Sequence, residues 1–232
     1  MFSTDVVRRL DAIVAAFPGR AGVWIADRAS TTPLYAHNAD TNVTTASLYK
    51  LGVLMEAERR VDSGQLRYGD VITIGEDDVT EEGSAYEAGA VLSLDEALEA
   101  MITQSDNGAA LALWHLFGGD TIAATLARAG MPEFHVTLDN TDNTVGTPRA
   151  IGTFFGHDRL PAALPKQTVV AHKTGNLEGF IHDAGIIFTP TGERIVVVMT
   201  RDAFEGTNAF VAEIAKIVYA ATLETAGVVH IP

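Results

Sequence analysis

Cysteine is absent from the 232 residues, which excludes disulfides, thiolate metal sites and a cysteine nucleophile. Positive charge is scarce. The chain has 16 Lys and Arg against 30 Asp and Glu, a net charge of −14. Such a surface repels phosphate backbones, so nucleic acid is not an expected partner. No apolar run reaches the roughly 18–20 residues that a membrane helix needs. The start, Met1-Phe2-Ser3-Thr4-Asp5, has no basic n-region and no long h-region. It reads as a cytoplasmic protein or as one whose signal has been removed. The 7 histidines are scattered with no His-x-x-x-His pair, so no metal site and no cofactor are inferred. Internal repeats and low-complexity linkers are missing as well.

What is present is ordinary globular material: 47% hydrophobic and 20% charged residues. The length allows one large domain or two intimately packed lobes. Val6, Val7, Leu10, Ile13, Val14 and Phe17 fall at helical spacing, and Pro18-Gly19 ends that helix. Two strands follow, over 21–27 and 34–36. A second helix is predicted from Ser47 to Val61. Ser93 and Glu96 form a capping box for a third, and Asp120 can cap a further one that ends at Gly130. Later, 168–172, 180–188 and 194–200 read as strands, and a last helix carries Phe210, Val211, Ile214, Ile217, Val218 and Ala221. The expected fold is α+β: a five-stranded antiparallel sheet flanked by N- and C-terminal helices, with a helical lobe beside it. The sheet lobe comprises 1–46 and 166–232, and the helical lobe 47–165. A cleft between them is a natural place for a site.

Three short motifs carry chemistry. Ser47-Leu48-Tyr49-Lys50 puts a hydroxyl and an amine one helical turn apart. A serine needs a base to become a nucleophile, and a desolvated lysine can serve. Taken alone, the pattern is weak and reads as a capping serine with a solvated lysine. Ser105-Asp106-Asn107 follows the third helix; it is either a plain turn or a relay serine with a substrate-binding asparagine, Asp106 bracing the loop. His172-Lys173-Thr174-Gly175 closes a predicted strand and offers a cation, a hydroxyl and an unobstructed backbone. The plainer alternative is a strand-to-turn transition with a surface lysine. Their order, Ser-x-x-Lys, Ser-Asp-Asn, Lys-Thr-Gly, and their contexts match a known signature of penicillin-recognising serine enzymes.

On these motifs the chain resembles the class A β-lactamase family and its D,D-peptidase relatives. Three longer stretches share the likeness: SLYKLGVLMEAERRVDSGQL from Ser47, Ser93 to Leu113, and VVAHKTGNLEGFIHDA from Val169. The resemblance implies a serine hydrolase acylated at Ser47. Lys50 would be base or relay, Ser105 and Lys173 would move protons and hold charge, and Asn107 and Thr174 would bind substrate. Gly175 would admit the acyl chain, and the N–H groups of Ser47 and Asn176 would form an oxyanion hole. Tyr86 is a candidate aromatic wall. The implied partner is a small β-lactam or a D-Ala-D-Ala peptide, met outside the cytoplasm by a monomer.

The family pattern also includes a loop carrying Glu-x-x-x-Asn, which activates the deacylating water. Here no glutamate lies between Glu133 and Glu178, and the helical lobe looks trimmed. Asp142 is the nearest carboxylate and is the candidate deacylation base. Ile181 stands where some members have a carboxylate-binding arginine; Arg159 and Arg201 are alternatives. Acylation therefore looks complete and deacylation impaired. The competing expectations are a D,D-peptidase or esterase on the same scaffold, and a binding scaffold without turnover.

Overall fold

The structure, a computed structural model, describes residues 1–28, 30, 32–80, 83–136, 144–152, 168 and 170–225. It divides into two compact units, 1–48 with 146–232, and 49–145. Residues 146–152 belong to the sheet unit, whereas the sequence reading placed them in a helical lobe running to 165. The short helix α6 (Pro148–Gly152) explains the difference. Its Gly152 lies directly on the Trp24 ring and its Pro148 on Gly22, both in the sheet.

In the sheet unit, five strands pair antiparallel in the order β2-β1-β9-β8-β7. They are β1 (Arg20–Asp27), β2 (Pro33–His37), β7 (Val170–Leu177), β8 (Phe180–Thr189) and β9 (Gly192–Arg201). Alternation in the central strands sorts the side chains between the two faces. Val23 and Ile25 of β1 stand opposite Val198 and Val196 of β9, and all four join the core beneath the terminal helices. Those helices are α1 (Thr4–Ala16) and α7 (Thr207–Thr225). Leu10 and Val14 from α1, and Phe17 just after it, meet Val211, Ile214 and Val218 from α7 in the same cluster. Each such side chain, once buried, contributes about 1.5–3 kcal/mol. Ser3 caps α1 by accepting from the Val6 N–H. A two-residue strand, β3 (Val43–Thr44), leads from the sheet to the turn Ala46–Tyr49.

The helical unit holds α2 (Lys50–Asp62), α3 (Leu94–Glu99), α4 (Asn107–Phe117) and α5 (Gly119–Arg128), with a ribbon of β4 (Val71–Thr73) and β5 (Val91–Ser93). The Ser93–Glu96 capping box is present at α3. Asp120 is not a cap: Gly118 occupies that place and Asp120 sits in the first turn of α5. The third helix also ends differently from its expected run. It widens after Glu99 into a π-turn over Ala100–Gln104 and stops at Ser105, whose φ is +58°. Glu56 of α2 is fully buried. Its carboxylate accepts from Arg59, Arg60 and Thr125, joining α2 to α5.

Among the described residues no single helix is long and apolar enough to cross a membrane. Residues 137–143 and 153–167, on which the expected trimming of the lobe rests, lie outside the described residues.

Candidate active site

The helical unit brings three of the expected residues together. Lys50 opens α2 and is fully buried. Its amine donates to the Ser105 carbonyl at 2.6 Å, the Ser105 hydroxyl at 3.2 Å and Asn107 Oδ1 at 2.7 Å. Each of these oxygens can accept from the amine. The left-handed backbone at Ser105 makes this possible, because it turns carbonyl and hydroxyl of one residue toward the same amine.

Asp106 braces this loop. It is buried, caps α4 by accepting from the Ala109 N–H at 2.8 Å, and accepts from the Ala85 N–H at 2.6 Å. Tyr86, half-buried, follows that anchored residue. Burial and the nearby Asp106 carboxylate push the Tyr49 phenol well above its ordinary pKa, so it stays neutral. The Lys50 amine lies 5.7 Å from the Tyr49 ring.

The sheet unit places the others. Ser47 is partly exposed on the 3-10 turn Ala46–Tyr49, which the Leu48 N–H closes by donating to the Thr45 carbonyl at 3.1 Å. Ala46, just before it, has φ +47°, a conformation that costs an alanine about 1–2 kcal/mol. Thr45, Ala46 and Leu48 pack on Gly175 of β7, where an added Cβ would stand 2.8 Å from the Thr45 carbonyl oxygen. Any larger residue at 175 would push the turn that carries Ser47.

Lys173-Thr174-Gly175-Asn176 is not a strand end. The β7–β8 ladder continues to Leu177↔Phe180, and the turn falls at Gly179, φ +75°. A paired strand keeps the four residues extended and their side chains on alternate faces. Lys173 is buried, donates to the Thr174 carbonyl at 3.2 Å, and is not a surface lysine. Thr174 is half-buried and Asn176 exposed.

Beside Lys173 lies a pair that motif reading did not assemble. His172 Nδ1 sits 2.6 Å from Asp183 Oδ1, the two side chains 1% and 0% exposed. His182, next along β8, is also buried; its Nδ1 accepts from the Thr200 N–H and its Nε2 lies 2.6 Å from the Thr44 carbonyl. The signal was available: His182 and Asp183 are two polar residues between the apolar Phe180-Ile181 and the apolar run 184–188 of one strand. Arg201 stands exposed at the end of β9, and Ile181 is half-buried on β8. Asp142 and Arg159 lie outside the described residues.

Comparison with known proteins settles the family. The profile described as "Beta-lactamase enzyme family" matches residues 5–156 and 152–222. The chain belongs to the β-lactamase enzyme family. β-Lactamase VEB-1 of Pseudomonas aeruginosa is 22% identical over an alignment 268 residues long, which covers 93% of this chain and 89% of that protein. A solved β-lactamase from Sphaerobacter thermophilus superposes with TM-score 0.83 at 21% identity, covering 99% of both chains. PBP-A superposes with TM-score 0.85 at 21% identity, covering 95% of this chain and 97% of its own. A mutant of PBP-A has been solved as an acyl-enzyme complex with penicillin G. The α+β architecture with its five-stranded antiparallel sheet is the family's fold, and family and fold mark a hydrolase of the serine β-lactamase type.

Proposed function

We propose that this β-lactamase-family hydrolase is acylated at Ser47 by β-lactams and releases the acyl group slowly. One observation carries the reading: the buried Lys50 amine, three residues after Ser47, is held by Ser105 and Asn107. A lysine so placed serves proton transfer. It must give up one hydrogen before accepting that of Ser47, and the Ser105 hydroxyl is the group through which a proton can pass on to the leaving nitrogen. In this reading Lys173 and Thr174 hold the substrate carboxylate, and the Ser47 and Asn176 N–H groups receive the oxyanion. Tyr86 walls the acyl chain.

Slow release follows from the missing glutamate between Glu133 and Glu178; Asp142, one methylene shorter, is the carboxylate proposed as base. A second reading, a penicillin-binding D,D-peptidase on the same scaffold, is favoured by the superposition on PBP-A. Either substrate is met outside the cytoplasmic membrane, and we propose that the protein works there, as a monomer. Incubation with benzylpenicillin followed by intact-mass measurement tests the proposal. The expected result is one long-lived adduct on the peptide holding Ser47, absent from Ser47→Ala. Unaltered mass and no hydrolysis would overturn it. Faster turnover of a D-Ala-D-Ala peptide than of penicillin would select the second reading.

A further inference from the structure

We infer that His182 is a positioning residue for the turn that carries Ser47, acting through the Thr44 carbonyl as a neutral donor protonated at Nε2. The inference rests on the reading of Ser47 as nucleophile. It begins where the β8–β9 ladder stops. That ladder runs from Thr189↔Gly192 to His182↔Met199, and beyond it side chains replace main-chain pairing. Thr200 Oγ1 donates to the Ile181 carbonyl at 2.6 Å and accepts from the Ile181 N–H at 3.2 Å. The N–H of Thr200 donates to His182 Nδ1 at 3.1 Å.

These bonds determine the state of the imidazole. A backbone N–H can only donate, so Nδ1 carries no proton. The ring hydrogen is then on Nε2, which lies 2.6 Å from a carbonyl oxygen that can only accept. The two bonds require the same tautomer, and the buried ring links Thr200 of β9 to Thr44, a residue 138 positions before His182 in the chain.

Thr44 is three residues before Ser47, and the next carbonyl is held as well. His182 stands directly opposite Gly175 in the β7–β8 register, so both lie on one face of the sheet. The Thr44 oxygen accepts from His182, while the Thr45 oxygen occupies the space that Gly175 leaves open. Neighbouring strands thus grip two successive carbonyls that lead into the turn, one by a hydrogen bond and the other by close contact. The left-handed Ala46 that follows is a conformation an alanine keeps only where its surroundings impose it. Releasing the Thr44 carbonyl would let the turn relax and move the Ser47 hydroxyl from its working position.

Two conservative substitutions separate positioning from folding. His182→Asn keeps an acceptor near Nδ1 for the Thr200 N–H but is too short to reach Thr44. His182→Gln places an amide N–H near the position of Nε2. Acylation by benzylpenicillin is followed by time-resolved intact mass at several drug concentrations, and melting temperature is measured on the same samples. The expected result is that His182→Asn slows the limiting acylation rate about 10–100-fold with little change in the concentration giving half-maximal rate. His182→Gln stays near the wild-type rate although both variants melt below it. Wild-type acylation by His182→Asn would overturn the inference, as would equal slowing of both variants in step with their melting temperatures. A wild-type protein that forms no Ser47 adduct would overturn the underlying acylation reading, and this one with it, before any substitution is made.

Discussion

The main-chain N–H of Asn107 donates to the Gly83 carbonyl at 2.7 Å, and a Cβ on Gly83 would stand 2.6 Å from Asn107 Nδ2. Gly83 has φ +76°, so an alanine there is strained before it meets anything. Its methyl group would also displace the amide whose oxygen holds Lys50. Gly83→Ala is expected to lower the melting temperature by a few degrees, for a cost of about 1 kcal/mol. It should also slow acylation about tenfold. Stopped penicillin incubations read by intact mass check the rate, and a thermal melt checks the fold.

Lys50 supports a sharper expectation. Lys50→Met fills much of the same buried volume without the amine. Acylation of Ser47 is then expected to fall by a factor on the order of 10²–10⁴, the usual range for losing a positioned acid–base group. The measurement is adduct formation over hours rather than minutes. Adduct appearing at the wild-type rate would remove Lys50 from the chemistry.

At Gly175 the issue is steric. Gly175→Ala would bring a methyl carbon within 2.8 Å of the Thr45 oxygen and 3.2 Å of Leu48 Cγ. Neither the sheet register nor the Lys173 side chain requires glycine, so the protein should still fold. Acylation is expected to slow by about 10-fold or more as the Ser47 turn shifts. Circular dichroism confirms folding, and the mass assay reads the rate.

The element order was legible because periodicity and punctuation are local properties. Val6 to Phe17 at helical spacing, Ser93 with Glu96, and the apolar run of β9 each announce an element without reference to the rest of the chain. The three motifs were legible for the same reason. What escaped was set by tertiary contact. The extension of β7 through Lys173 to Leu177 depends on pairing with β8, which outweighs the turn tendency of Thr-Gly-Asn. The π-turn before Ser105 has no local signature. The burial of Lys173, the His172–Asp183 pair and the grip of His182 on Thr44 join residues from separate strands and loops, and no spacing rule links them. Residues 137–143, Asp142 among them, lie outside the described residues.

The His172–Asp183 pair predicts an asymmetry in stability. With both side chains essentially unexposed, removing one partner leaves the other buried without its counterpart. Asp183→Ala is expected to cost about 3–5 kcal/mol, whereas a double replacement by apolar residues of similar volume should cost much less. Urea denaturation of the two single variants and the double variant measures the difference. Additive losses would show that the pair is not coupled.

Glu56 gives the pH dependence its sign. Burial alone would raise its carboxyl, but hydrogen bonds from Arg59, Arg60 and Thr125 outweigh that cost and hold it down at about 2 against an ordinary 4.5. A carboxyl depressed in the folded state contributes stability that is fully present above its unfolded value. That contribution fades as pH falls from about 4.5 toward 2. Glu56→Gln retains the shape and removes the charge, so it should cost about 1–3 kcal/mol at pH 7. The same substitution should cost progressively less as pH drops through the window, because acid has by then neutralised the wild-type group too. Urea midpoints for the two proteins at pH 7, 4 and 3 test this. A difference that stays constant with pH would mean that the charge of Glu56 is not what joins α2 to α5.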